Sequence, residues 1–119
     1  MNPSVPTIWI VNEAGHDFSR ATDAVPGAMI QPLTIGDINP TSFDRLMFNA
    51  ARGIGKFAKA EDFILISGTP ILNAIVVALW MQQFKICNIL QWDARKRRYQ
   101  KFVISSDRMK DVLDEQMRL

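Results

Sequence analysis

The stretch FILISGTPILNAIVVALW, residues 63–80, is apolar on both sides of a short interruption at Ser67-Gly68-Thr69-Pro70. A short apolar run ahead of the break suits a buried strand. The longer run behind it suits a helix whose first turn is preset by Pro70. The spacing therefore predicts a strand over Phe63–Ile66, a tight turn, and a helix over Pro70–Gln82. From Ile71 to Trp80 only Asn73 is polar. A surface helix shows one polar face, so this one is expected to be covered on both sides, by the sheet and by another helix or a second subunit.

Working towards the N-terminus, Thr41–Ala58 carries Phe43, Leu46, Met47, Ala50, Ile54 and Phe57 at helical spacing. Thr41 with Asp44 approximates a capping box behind Asn39-Pro40. Gly53 and Gly55 each weaken the last turns by roughly 1 kcal/mol relative to alanine, which predicts an early end to this helix. Ala28–Leu33 reads as a weaker strand that Pro32 pushes to a sheet edge. Thr7–Val11 (TIWIV) reads as a buried strand, and the polar link between the two allows one or two helical turns around Phe18–Ala24.

Towards the C-terminus, Lys85–Gln91 and Tyr99–Ile104 are strands separated by WDARKRR, a link short enough to make them an antiparallel hairpin. Met109, Val112, Leu113, Gln116 and Met117 then form one stripe of a final helix capped by Ser105 or Ser106. Strands alternating with helices imply an α/β fold with a mostly parallel sheet, and right-handed crossovers restrict its topology. The expectation is a single Rossmann-like domain over residues 1–119, a three-layer sandwich with an antiparallel C-terminal edge hairpin; the strand order stays open, and an order of 2-1-3-4 would set the loops after the first and third strands side by side.

Composition narrows the function classes. The chain has 119 residues, 48% hydrophobic and 22% charged, which is ordinary for a globular domain. A net charge of +2 does not by itself argue for nucleic acid. No basic segment followed by an apolar core opens the chain, and Ile71–Met81 is too short to span a bilayer. A soluble, cytoplasmic protein without membrane contact is expected. The single cysteine, Cys87, cannot make an intrachain disulfide and reads as a buried thiol. One histidine cannot build a histidine-rich metal site, and Glu13, Asp17 and Asp37 are a thin basis for magnesium. No metal ligands and no cofactor are assigned.

In an open parallel sheet, ligands bind beyond the carboxyl ends of the strands, where strand order reverses. Three loops should emerge there: Asn12-Glu13-Ala14-Gly15-His16-Asp17, Thr34-Ile35-Gly36-Asp37 and Ser67-Gly68-Thr69. Gly68 permits close approach, Ser67 and Thr69 offer hydroxyls, and the following helix start presents unpaired N–H groups that suit an anion. The plainer reading is a strand-to-helix turn with Thr69 as N-cap. Neither GxxxxGK[ST] nor GxGxxG occurs. The predicted ligand set is Asn12, Gly15, His16, Thr34, Asp37, Ser67, Gly68, Thr69 and Asn73, and His16 with Asp17 is the candidate acid/base pair. The GxSxG elbow that would support a serine nucleophile is missing.

A basic patch, Arg95, Lys96, Arg97, Arg98 and Lys101, follows Trp92 and surrounds Tyr99. It either grips phosphates with an aromatic stacked on a base, or is a solvated hairpin tip that discourages edge pairing. In outline, strand–SGTP–apolar helix–strand–hairpin over roughly residues 63–104 resembles the later part of CARF domains, which bind cyclic oligoadenylates as dimers. The lysine of that family's GGTK-like turn is replaced here by Pro70.

Three function classes follow. The first is a ligand-binding module for a nucleotide or other anionic small molecule at the C-terminal edge of the sheet. The second is a phosphoester hydrolase or transferase using His16. The third is an oligomeric structural or interaction protein, with helix 70–82 as subunit interface and the basic hairpin contacting a partner or nucleic acid. The first is preferred.

Overall fold

The computed structural model describes residues 5–39 and 41–118. The elements run β1 (Thr7–Ile10), α1 (Ala21–Ala24), β2 (Met29–Pro32), α2 (Phe43–Phe57), β3 (Phe63–Leu65), α3 (Pro70–Phe84), β4 (Ile86–Asp93), β5 (Arg98–Ser105) and α4 (Ser106–Met117). The fold is α/β. Its one five-stranded mixed sheet has the order β2-β1-β3-β4-β5, with only β4–β5 antiparallel. β1 lies beside β3 and points the same way, Ile8 opposite Phe63 and Ile10 opposite Leu65.

Alternation along the strands builds two cores. Trp9, Val11, Ile64, Cys87 and Ile89 point to one face, where α2 contributes Leu46, Ala50 and Ile54 and α3 contributes Leu72, Ile75, Val76 and Trp80. Ile8, Ile10, Leu65 and Leu90 point to the other, which only Ala21 and Val25 and their neighbours cover. One face is thus roofed by two 15-residue helices and the other by a single turn. The Cys87 thiol is fully buried, and burial pushes its pKa up to about 12.

Several local expectations are corrected. Thr41 does not cap α2: its N–H and hydroxyl both donate to the Asn39 side chain, and Ser42 holds the N-cap position without a side-chain bond. Pro40, the expected upstream block, lies outside the described residues. Gly53 and Gly55 do not end the helix early, and α2 continues to Phe57. At Gly53 an added Cβ would stand 3.0 Å from Leu33 Cδ2, so the missing side chain admits Leu33. α3 is not covered on both sides within the chain, since Ile71, Ala74 and Ala78 are exposed. Pro32 does sit on an edge strand, on a sheet register where Leu33 rather than Pro32 donates to β1. Ser105 caps α4, accepting from the Arg108 N–H at 3.3 Å. Among the described residues no helix is long and apolar enough to cross a membrane.

The N-terminal ends of β1 and β3 are fastened by one carboxylate. Asp62 is fully buried; its Oδ1 accepts the Thr7 N–H at 2.9 Å, and its Oδ2 accepts Trp9 Nε1 at 3.0 Å and the Lys59 N–H at 2.9 Å. Asp62→Ala strands three donors where the carboxylate had satisfied them. It is expected to cost roughly 3 kcal/mol in a urea melt, whereas Asp93→Ala in the exposed hairpin turn should cost well under half of that.

Candidate functional site

The carboxyl ends of β1, β2 and β3 bring together Asn12, Thr34, Ser67, Gly68, Thr69 and Asn73. They are spent largely on one another. The Asn12 N–H donates to Ser67 Oγ at 3.1 Å, and the Ser67 hydroxyl donates back to the Asn12 carbonyl at 3.0 Å. Asn12 Nδ2 donates to the Gly36 carbonyl at 3.1 Å, and the Thr34 hydroxyl sits 2.7 Å from the Val11 carbonyl and 2.9 Å from Asn12 Oδ1. Asn73 reaches back from the first turn of α3, its Oδ1 accepting the Ser67 N–H at 3.1 Å while Nδ2 donates to the Ser67 and Thr69 carbonyls, each at 2.9 Å.

This is a latch that closes the switch point between β1 and β3. Thr69 occupies the N-cap position of α3, but its hydroxyl makes no cap bond and has no partner among the described residues. The Asn73 side chain fastens the Ser67–Thr69 turn rather than capping the N–H groups of the first turn of α3. Gly68 adopts φ +81°, and an added Cβ would meet Asn12 Cβ at 2.9 Å. The glycine lets one loop approach another.

Asp37 lies apart from this cluster, in a separate hollow of about 300 Å³ in front of α2 that Thr34, Arg45 and Asn49 also line. Gly15 serves the first loop's own turn, with φ +91° and its N–H bonded to Glu13 Oε1 at 3.0 Å.

His16 and Asp17 lie on the α1 side, in a cleft of about 280 Å³ shared with Phe18, Arg20, Trp92 and Tyr99. Here the first loop meets the hairpin. Trp92 and Tyr99 are cross-strand partners with ring centroids 5.1 Å apart at 66°, and the Arg20 guanidinium lies 5.7 Å over the Trp92 ring. His16 stands edge-on to Phe18 at 6.2 Å. Asp17 accepts the Ser19 N–H at 2.9 Å, and this bond holds its carboxyl below the usual aspartate range. Burial, and secondarily the Asp17 charge, raise the Tyr99 phenol above its ordinary value.

The basic patch divides. Arg98 and Lys101 line a second cleft of about 330 Å³ against Asp23, with Tyr99 as the shared wall. Arg95, Lys96 and Arg97 form the hairpin tip, where the Arg95 and Lys96 N–H groups bond to Asp93 and Arg97 takes φ +52°. Arg20 is the one cleft residue without a sequence signal, because nothing in its own loop points to Trp92. Among the described residues no group of three His, Cys, Asp or Glu side chains is placed to hold a metal ion.

Two measurements check this geometry. Gly68→Ala is expected to destabilise the fold by roughly 2–3 kcal/mol, combining left-handed backbone strain with the clash on Asn12. Because the chain has one tyrosine, an ultraviolet titration reads Tyr99 alone. Its midpoint should lie above the free value of about 10 and fall part of the way back in Asp17→Asn, since burial remains. The raised phenol means stability is held below pH of about 10 and lost above it, as the unfolded chain releases that proton first.

A family model described as "Phage Pam3 gp32-like protein" matches residues 6–106, and the chain belongs to that family. No curated protein and no solved structure matches it.

Proposed function

We propose that this member of the phage Pam3 gp32-like family is a binding module for an anionic small molecule carrying a planar ring, of the nucleotide class. The ligand is held at the C-terminal edge of the sheet on a three-layer Rossmann-like frame. The observation that carries the reading is the stack of Arg20 over Trp92 beside Tyr99. Where the switch point of such a sheet would ordinarily receive a ligand, the latch of Asn12, Ser67 and Asn73 fills the space. The next opening along the same edge is the cleft at the end of β4.

Its chemistry suits a nucleotide. Trp92 and Tyr99 offer ring surface, and base stacking on such side chains is worth about 1–3 kcal/mol. Arg20 sets its guanidinium over Trp92, and the N–H groups at the edge of that plane can meet a phosphate. His16 adds an imidazole N–H, and Arg98 and Lys101 supply positive charge on the far side of Tyr99. The roles of Ser67, Gly68, Thr69 and Asn73 become indirect, since they set the height of the first loop. Catalysis by His16 gains no support from Asp17, whose carboxylate is turned to Ser19. A cytoplasmic location accords with this ligand class.

Trp9 and Trp80 are buried and Trp92 is 41% exposed, so fluorescence quenching selects the cleft. AMP and ATP are expected to quench and to raise the melting temperature, less so at high salt. Arg20→Ala should weaken both by about tenfold, and Trp92→Phe should abolish quenching while keeping a thermal shift. No response to either nucleotide at millimolar concentration overturns the reading. A steep salt-dependent affinity for single-stranded oligonucleotides, retained in Arg20→Ala, transfers the function to the hairpin tip.

A further inference from the structure

Two apolar helix faces are left uncovered in the single chain. The outer face of α3 shows Ile71, Ala74 and Ala78, with no charge beside them to select a partner. α4 is different. It has no buried residue, yet its sequence is amphipathic, and Met109, Val112, Leu113 and Met117 form one stripe with Leu113 63% and Met117 82% exposed. The helix belongs to neither core cluster. The radius of gyration, 15.1 Å, exceeds the ~13.5 Å expected of a compact domain of this length, as a projecting helix requires.

The charges bordering that stripe are arranged in an unusual way. Arg108 and Lys110 flank its N-terminal half, and Asp114 and Glu115 flank its C-terminal half. The helix dipole favours acids at the start and bases at the end; Asp107 in the first turn meets that preference, but these four flanking charges run the other way. Within the helix, Lys110 four residues ahead of Asp114 is the weaker orientation of an i,i+4 pair. Those four charges add little to an isolated helix.

It is well suited to an antiparallel copy of itself. At 100° per residue Lys110 and Asp114 fall on one flank, and Arg108 and Glu115 on the other. In a two-fold antiparallel pair each flank meets the same flank of its partner. Lys110 then faces the partner's Asp114 and Arg108 faces the partner's Glu115. Both pairings centre the two-fold axis at Val112, within one residue, in the middle of the apolar stripe. Two independent charge pairs thus specify the same register.

We infer that α4 is a self-association helix and that two copies of this chain pair through it antiparallel about Val112. A pair of 12-residue helices, about 18 Å long, is small against the ~600 Å² per partner that a stable interface needs. The adjoining sheet surface at the root of α4 supplies the remainder. Ile86, paired with Ser105, and Val103, paired with Asn88, share one face there and are 39% and 63% exposed.

Sedimentation velocity of the full chain at about 10–100 µM tests this inference, with circular dichroism as a check on folding. The native chain should sediment as a dimer. Lys110→Glu, a surface change, should weaken dimerisation by about tenfold, because the two-fold makes it act twice. Combining it with Asp114→Lys should restore the native affinity, since the pairing is inverted and remains complementary. Val112→Cys should form an intermolecular disulfide on oxidation, the native thiol at Cys87 being buried. A monomer across that range overturns the inference. So does a dimer indifferent to Lys110→Glu, particularly one broken by Ala74→Arg on α3.

Discussion

One buried carboxylate governs where the strands lie. Asp62 ends the turn after α2 and accepts N–H groups from that turn, from the first residue of β1 and from the Trp9 indole. A buried acceptor tolerates few alternative geometries, because leaving its donors unsatisfied costs about 1–3 kcal/mol apiece. β1 is therefore pinned against β3 at the end opposite the loops that follow the two strands, and the register Ile8 to Phe63 accords with this. The reciprocal bonds of Asn12 and Ser67 pin the other end. With both ends fixed, the loop from Glu13 onward has only one way out, over the α1 side and towards the hairpin.

This division of labour separates frame from cleft. Small polar residues at the switch point are bonded to one another, whereas the larger groups at the end of β4, Arg20, Trp92 and Tyr99, stand at the surface. Polar satisfaction holds the first group in place and leaves the second open to solvent, where the proposed ligand would meet it.

Much of the frame was legible in the sequence. The apolar runs at residues 7–11 and 63–66, the proline-led helix and the short hairpin link predicted the strands and the antiparallel edge, whereas the order β2-β1-β3-β4-β5 came from the structure. The site was legible only in part. Glycine, serine, threonine and asparagine at a loop signal close approach of a backbone, and that signal is the same whether the approaching object is a ligand or another loop. Here it was another loop. Asp62 carried no local signature, since a charged residue before a strand ordinarily reads as a solvated turn. The contact of Arg20 with Trp92 joins distant parts of the chain and leaves no periodicity. Thr41 looked like a cap because its spacing to Asp44 was right, but a competing acceptor in Asn39 captured its hydroxyl.

The joint between α3, β4 and α4 has a mechanical meaning. Lys85 leaves α3 in a left-handed conformation, φ 62°, with its N–H still bonded to Met81, and its carbonyl accepts the Ser106 N–H at 2.9 Å. In the single chain that bond ties the root of α4 to the exit of α3, and β5 is the strand the helix touches. Until it is paired, α4 is thus a cantilever clamped at one end. A tilt of about 5° at the clamp would carry the tip of an 18 Å arm through roughly 1.5 Å, so small adjustments beneath β4 are magnified at the far end of the arm.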